Sequence, residues 1–140
     1  MLRVEHLSVA RDEKTIFSDV SFSVSSGECI VIRGKNGVGK SSLLAAIIGM
    51  SDVRVTSGDI FLDETSILTQ KTHERARSGF FLAHQEPPAI DGVTLAFMAR
   101  ASLEAIHGIT DIPEAQRMIR EAAETVGVPE SFTQKMLLRL

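Results

Sequence analysis

Strict alternation of apolar and polar residues at Val20-Ser21-Phe22-Ser23-Val24 puts every second side chain on one face of an extended segment. Leu2 to Val9 has a similar make-up, and the charged run Arg11-Asp12-Glu13-Lys14 lies between the two. An antiparallel opening sheet is predicted. Cys29-Ile30-Val31-Ile32 follows the turn Ser25-Ser26-Gly27 without alternation, as expected of a strand buried on both faces and ended by Gly34. From Gly39 to Gly49 apolar residues occupy nearly every position, which predicts a helix buried all round at the centre of the domain. Ser57-Gly58 opens a short strand over Asp59 to Asp63, and Phe80-Phe81-Leu82-Ala83 reads as a third buried strand.

Beyond Pro87-Pro88 the period changes. Thr94 to Ile106 reads as a helix stopped by Gly108, and Pro113 at a first-turn position starts another that ends before Gly127. Ala115, Met118, Ile119, Ala122 and Val126 share one face of that second helix. The expected organisation is a strand-rich segment over 1–89 and a helical one over 90–140. No internal repeat or low-complexity tract interrupts them.

With 140 residues the chain is long enough for one sizeable core. Its net charge of -3, with Lys and Arg scattered, lacks the basic footprint of a nucleic-acid binder. The lone Cys29 cannot form an intrachain disulfide, and no apolar leader opens the chain, so a reducing cytoplasm is the expected location. Leu43 to Met50 is far shorter than the ~20 residues that cross a bilayer. If a membrane is involved, a partner is expected to span it.

Gly34-Lys35-Asn36-Gly37-Val38-Gly39-Lys40-Ser41 satisfies G-x-x-x-x-G-K-[ST] between the expected strand and helix. Glycine reaches backbone angles closed to other residues, so successive N–H groups can turn inward around a phosphate. The helix that follows aims its N-terminal N–H groups and partial positive charge at the same anion. Lys40 adds a full charge toward the outer phosphates, and Ser41 offers a hydroxyl to Mg²⁺. Such a loop also needs an acid at the end of a neighbouring strand. Asp63-Glu64 superficially fits, but Asp59 interrupts the short apolar run before it, so both are expected to be surface turn carboxylates on an exposed hairpin.

With this loop in place, the order of segments resembles the ATP-binding domains of the ABC family: an antiparallel start, the loop, Ser57-Gly58-Asp59-Ile60, then a strand ending in Gln85. The resemblance implies an α/β, P-loop NTPase fold with an N-terminal antiparallel sheet, a partial parallel core sheet and the start of a helical subdomain. It also implies ATP and Mg²⁺ as ligands, with Ser42 joining Gly34 to Ser41 at the nucleotide and Ser41 and Gln85 at the metal. By the same resemblance Gln85 senses Mg²⁺ or the attacking water and reports it to the helical segment and its partner. Val55-Thr56-Ser57-Gly58 and Ala83 to Val93 look most like the Suf-type iron–sulfur cluster assembly ATPases, the SufC group, although His84 replaces their usual Phe. This implies a Suf-type scaffold docked near Gln85 to Ala99. The other partner the family implies is a membrane permease.

The family commonly stacks adenine on an aromatic residue of the first hairpin, and Arg11 stands at that place; a guanidinium also stacks on a π face. The chain ends at Leu140, about where the signature motif of the family is expected to begin. The signature, the acid-bearing strand with its catalytic glutamate and the switch histidine are therefore expected outside it, in a longer protein that pairs head to tail. The chain alone is expected to bind nucleotide without hydrolysing it; a complete, non-catalytic binding protein is the remaining alternative. His6, His73, His84 and His107 receive no role, and Cys29 reads as a small core residue and not a cluster ligand.

Overall fold

Leu2–Arg11 (β1) and Lys14–Val24 (β2) form the hairpin that the alternation predicts, with Arg11 opposite Lys14. In the computed structural model, which describes residues 1–85, 90–129 and 131, the order continues with α1 (Lys40–Ile48), β3 (Arg54–Leu62) and β4 (Thr65–Ser66). Three helices follow: α2 (Thr72–Arg77), α3 (Leu95–His107) and α4 (Ile112–Thr125). The chain divides into two units, Met1–Leu82 and Ala83–Leu140.

In the first unit one antiparallel sheet runs β2-β1-β3-β4. Its inner face carries Val4, Leu7, Val9 and Ile60, which pack with Leu43, Ala46 and Ile47 of α1 and with Ile67. All four sheet residues are at most 1% exposed, and apolar surface removed from water in this way stabilises by roughly 25 cal/mol per Å².

β1 is not regular. Between Glu5 and Ser8 it advances one residue more than β3, and between Val4 and Leu7 one more than β2. His6 lies in this bulge at φ 49°, and Asp19 lies in a second irregularity, on β2, at φ 57°. The two side chains meet, His6 Nδ1 to Asp19 Oδ1 at 2.7 Å. The hydrogen bond and then the charge of Asp19 raise the His6 pKa above its ordinary 6.5. Because the folded value is the higher one, this pair's contribution to stability is fully present below the unfolded pKa and is lost as pH rises through the folded value. Proton NMR titration is expected to place the His6 midpoint above that of a model histidine, and Asp19→Asn to lower it. An unchanged midpoint in Asp19→Asn would remove the pair from the account.

Several expectations need correction. Residues 29–32 and 80–83 join no strand pairing among the described residues, and Cys29 is exposed, as are Val31 at 72% and Phe81 at 86%. An apolar run without alternation forms a strand only with neighbours on both edges and both faces, and neither segment has them here. The helix after the loop is not buried all round: Ser41 and Leu44 face outward, and the sheet covers one side only. Asp59 to Leu62 belongs to a longer strand lying between β1 and β4, with Ile60 fully buried; the expected hairpin is present as β3–β4, turning at Asp63 and Glu64, but the strand that enters it starts at Arg54 and is covered on one face. Gly58 lies inside that strand at φ 84°, facing the β1 bulge, where its missing side chain leaves room for the carbonyls of Glu5 and His6.

Helix α2 was not expected, since Thr72–Arg77 has a single apolar residue, Ala76, and no helical period. It forms because its ends and one buried charge are satisfied. Glu74 Oε2 accepts from the Lys71 backbone N–H at 2.7 Å. Arg75, 2% exposed, places its whole guanidinium among backbone carbonyls, and burial lowers its pKa.

The helices of the second unit follow the sequence closely. Thr94 Oγ1 accepts from Phe97 N at 3.1 Å and Gly108 closes α3 at φ 68°. Asp111 Oδ2 accepts from Glu114 N at 3.1 Å to start α4, with Pro113 in its first turn. Ala115 is buried, while Met118, Ile119, Ala122 and Val126 line an apolar cleft of about 480 Å³ between the two helices.

Candidate functional site

The loop from Gly34 to Gly39 ends directly on α1. Gly37 and Gly39 take φ of 81° and 101°, the left-handed region that favours glycine. At Gly39 a second constraint applies. A Cβ there would lie 2.6 Å from Ile16 Cγ2 and 3.1 Å from Phe17 Cδ1, so the start of β2 packs against the last glycine of the loop. Sequence reasoning assigned no role to Ile16 or Phe17; an apolar pair just after a charged turn is the only signal they carry. Around Gly37 no atom would meet a Cβ, and residues 34–38 are exposed.

Leu43 N donates to Gly39 O at 2.9 Å, the first bond of α1. The N–H groups before it have no acceptor one turn back. Gly39 gives no side-chain cap, and the first turn holds no acidic residue. A helix start left uncapped and facing solvent is suited to an external anion. Lys40 sharpens the point, because a cation in the first turn opposes the helix dipole. Its Nζ donates to Gly34 O at 2.7 Å and Lys35 O at 2.9 Å, folding the ammonium back across the loop. Two carbonyls hold the charge where an anion on the loop would meet it. Of the two hydroxyls that follow, Ser41 is exposed and Ser42 is buried at 6%. The Ser41 hydroxyl is thus open to solvent, and Ser42 has its backbone N–H to offer.

Arg11 donates from Nη2 to Asp52 Oδ2 at 2.7 Å and from Nε to Asp52 O at 3.3 Å, which ties the hairpin end to the turn after α1. Gln85 is exposed and belongs to the second unit. Glu86, Pro87, Pro88 and Ala89, part of the stretch expected to dock a partner, lie outside the described residues. Asp63 and Glu64 are turn carboxylates as expected. Asp63 pairs with the N-terminal ammonium and Glu64 with Arg3 at 3.3 Å, both in the left-handed region and largely exposed. Among the described residues no group of three or more His, Cys, Asp or Glu could hold a metal, and no helix is long and apolar enough to cross a membrane.

The sequence profile of the ABC transporter family matches residues 17–138. A Streptococcus pyogenes serotype M3 protein named "Probable ABC transporter ATP-binding protein" is 43% identical over 140 residues, which is 98% of this chain and 55% of that protein. "Vegetative protein 296" of Bacillus subtilis is 37% identical over 125 residues, covering 89% of this chain and 48% of that one. The chain thus spans about half the length of the curated relatives it matches. Among solved structures, a dimeric ATP-binding cassette bound to ADP and Pi superposes with a TM-score of 0.80 at 19% identity, over 100% of this chain and 63% of that one. The ATP-binding subunit of an ABC transporter gives 0.79 at 23% identity, over 97% of this chain and 54% of the other.

Proposed function

The chain belongs to the ABC transporter family of ATP-binding domains, and from that premise we propose that it is the phosphate-holding front part of a longer ABC-type ATPase. The observation that carries the proposal is the loop itself: an uncapped α1 start, two glycines in the left-handed region, and Lys40 folded across the loop on Gly34 and Lys35. ATP is held through Gly34 to Ser42. Ser41 fits a Mg²⁺ ion that keeps most of its ligands as water and phosphate oxygens, which is how Mg²⁺ usually binds. The metal supplies charge neutralisation on the outer phosphates. On this reading Gln85 senses metal or water, and Arg11, which donates to Asp52, takes the part of the base-stacking residue.

The acid-bearing strand, signature motif and switch histidine belong to the remainder of the longer protein, which works as a head-to-tail dimer. The exposed Val31 and Phe81 support this, since each lies in a run composed for a sheet interior. Phosphoryl transfer depends on positioning and charge stabilisation, so this chain alone binds without appreciable turnover.

A membrane permease is the partner favoured by the names of the relatives. The second reading, a Suf-type scaffold partner, rests on Ala83 to Val93 alone. Equilibrium binding of a fluorescent Mg·ATP analogue, competed with ATP, tests the nucleotide reading; an uncompeted signal would sink it. Fractionation of the longer protein from its cells separates the partners. Detergent-released association with membranes supports the permease, and a fully soluble protein supports the scaffold.

A further inference from the structure

We propose that Arg75 is a positioning residue for the phosphate loop, acting through the far end of α1. Nη1 donates to Ala46 O and to Ile47 O at 2.8 Å each, Nη2 to Leu68 O at 3.0 Å, and Nε to Gln70 O at 3.1 Å. Ala46 and Ile47 lie in the last turn of α1, beyond the reach of the regular helix bonding; Ala46 O also accepts from the C-cap N–H of Gly49 at 3.2 Å, and the guanidinium adds a second donor there. Thr72 Oγ1 adds a bond of 2.6 Å to Gly49 O. A Cβ on Gly49 would lie 3.0 Å from Arg75 Cζ and Nε, so the guanidinium closes directly on the helix end. The six-residue α2 therefore works as an external C-terminal cap of the nine-residue α1.

A buried guanidinium normally meets a carboxylate, because an uncompensated buried charge is costly. Among the described residues Arg75 is bonded to four carbonyls instead. Two are on α1, at the negative end of its dipole, where a cation is favoured. The arrangement uses the planar fork of arginine, which a lysine ammonium reproduces only in part.

The consequence reaches the opposite end of the same rod. At 1.5 Å per residue α1 is only about 13 Å long. Its N-terminal N–H groups and Lys40 must sit within about 0.5 Å of their working places to hold phosphate well. A tilt at Ala46 and Ile47 displaces Lys40 and the loop. The segment from Leu68 to Gln70 shares the clamp, so α1, that turn and α2 are held by one side chain.

The inference rests on the reading of Gly34 to Ser42 as a nucleotide site, and the experiment separates the two. In the full chain, dissociation constants for a fluorescent Mg·ATP analogue are measured for wild type, Arg75→Ala, Arg75→Lys and Lys40→Ala, each below its unfolding midpoint. Amide hydrogen exchange of residues 37–43 is followed without nucleotide. Arg75→Ala is expected to weaken binding on the order of 10-fold and to speed exchange in that segment more than in the β-sheet. Arg75→Lys is expected to fall between the two, with a smaller loss of melting temperature. Wild-type affinity and exchange in folded Arg75→Ala, beside lost binding in Lys40→Ala, would overturn the positioning role and leave the nucleotide site intact. If Lys40→Ala also binds as wild type, the nucleotide reading fails. Should Arg75→Ala not fold, Arg75→Lys decides by the same readouts: wild-type affinity and exchange there overturn the role.

Discussion

Lys40→Ala is expected to weaken binding of a Mg·ATP analogue by about 100-fold or more while the chain stays folded. The Lys40 ammonium makes two bonds to loop carbonyls, at 2.7 and 2.9 Å, and lies beside an uncapped helix start. Charge-assisted hydrogen bonds contribute roughly 1.5–3 kcal/mol each, so losing the cation that meets the phosphates accounts for two decades of affinity. The two carbonyls left behind are exposed and find water, which is why stability changes little. Lys40→Arg is not expected to rescue, since a wide planar fork does not fit where a compact ammonium is held between Gly34 and Lys35. Isothermal titration with circular dichroism on the same samples checks both halves. Equal affinities in folded wild type and Lys40→Ala would remove the phosphate site.

Gly58→Ala is expected to cost more stability than alanine at any other glycine of this chain. Its Cβ would lie 2.3 Å from Glu5 O and 2.4 Å from His6 O, and both obstacles are backbone of the adjacent strand. No rotamer relieves such a clash, and φ of 84° adds strain of its own. Either the β1 bulge or the β1–β3 pairing must give way, and both frame the core residues Val4, Leu7 and Ile60. A loss of about 3 kcal/mol or more is expected, near 10 °C in melting temperature for a chain of this size. Gly27→Ala is the control. Its φ of 77° is similar, but nothing lies within 4 Å, so only the left-handed cost of roughly 1 kcal/mol applies. Equal melting temperatures for the two variants would show that the contact between Gly58 and the bulge is not what holds the sheet.

Some of the architecture was legible because it is local. The opening hairpin follows from a period of two, and α3 and α4 follow from starts and stops that lie within a turn of their ends, at Thr94, Gly108, Pro113 and Gly127, although the Asp111 cap of α4 shows only in the structure. The candidate phosphate loop stands out in the sequence for a related reason: its glycines, lysine and serine are contiguous, and the pattern works largely through backbone geometry. Helix α2 was not, because its stability comes from Arg75 reaching Ala46 and Ile47, residues 29 and 28 positions away.

What the sequence by itself determined is the residue types and spacing over Gly34 to Ser42 and the order of the segments around them, since both reside in local sequence. Only the tertiary structure decided that Ile16 and Phe17 back Gly39, that Gly58 receives the β1 bulge, and that Arg75 clamps the end of α1. It also decided which apolar runs are covered. Residues 29–32 have interior composition yet stay exposed, and of 80–83 only Phe80 and Leu82 are half-buried, because burial depends on the neighbours a segment finds, and no pattern within a segment supplies them.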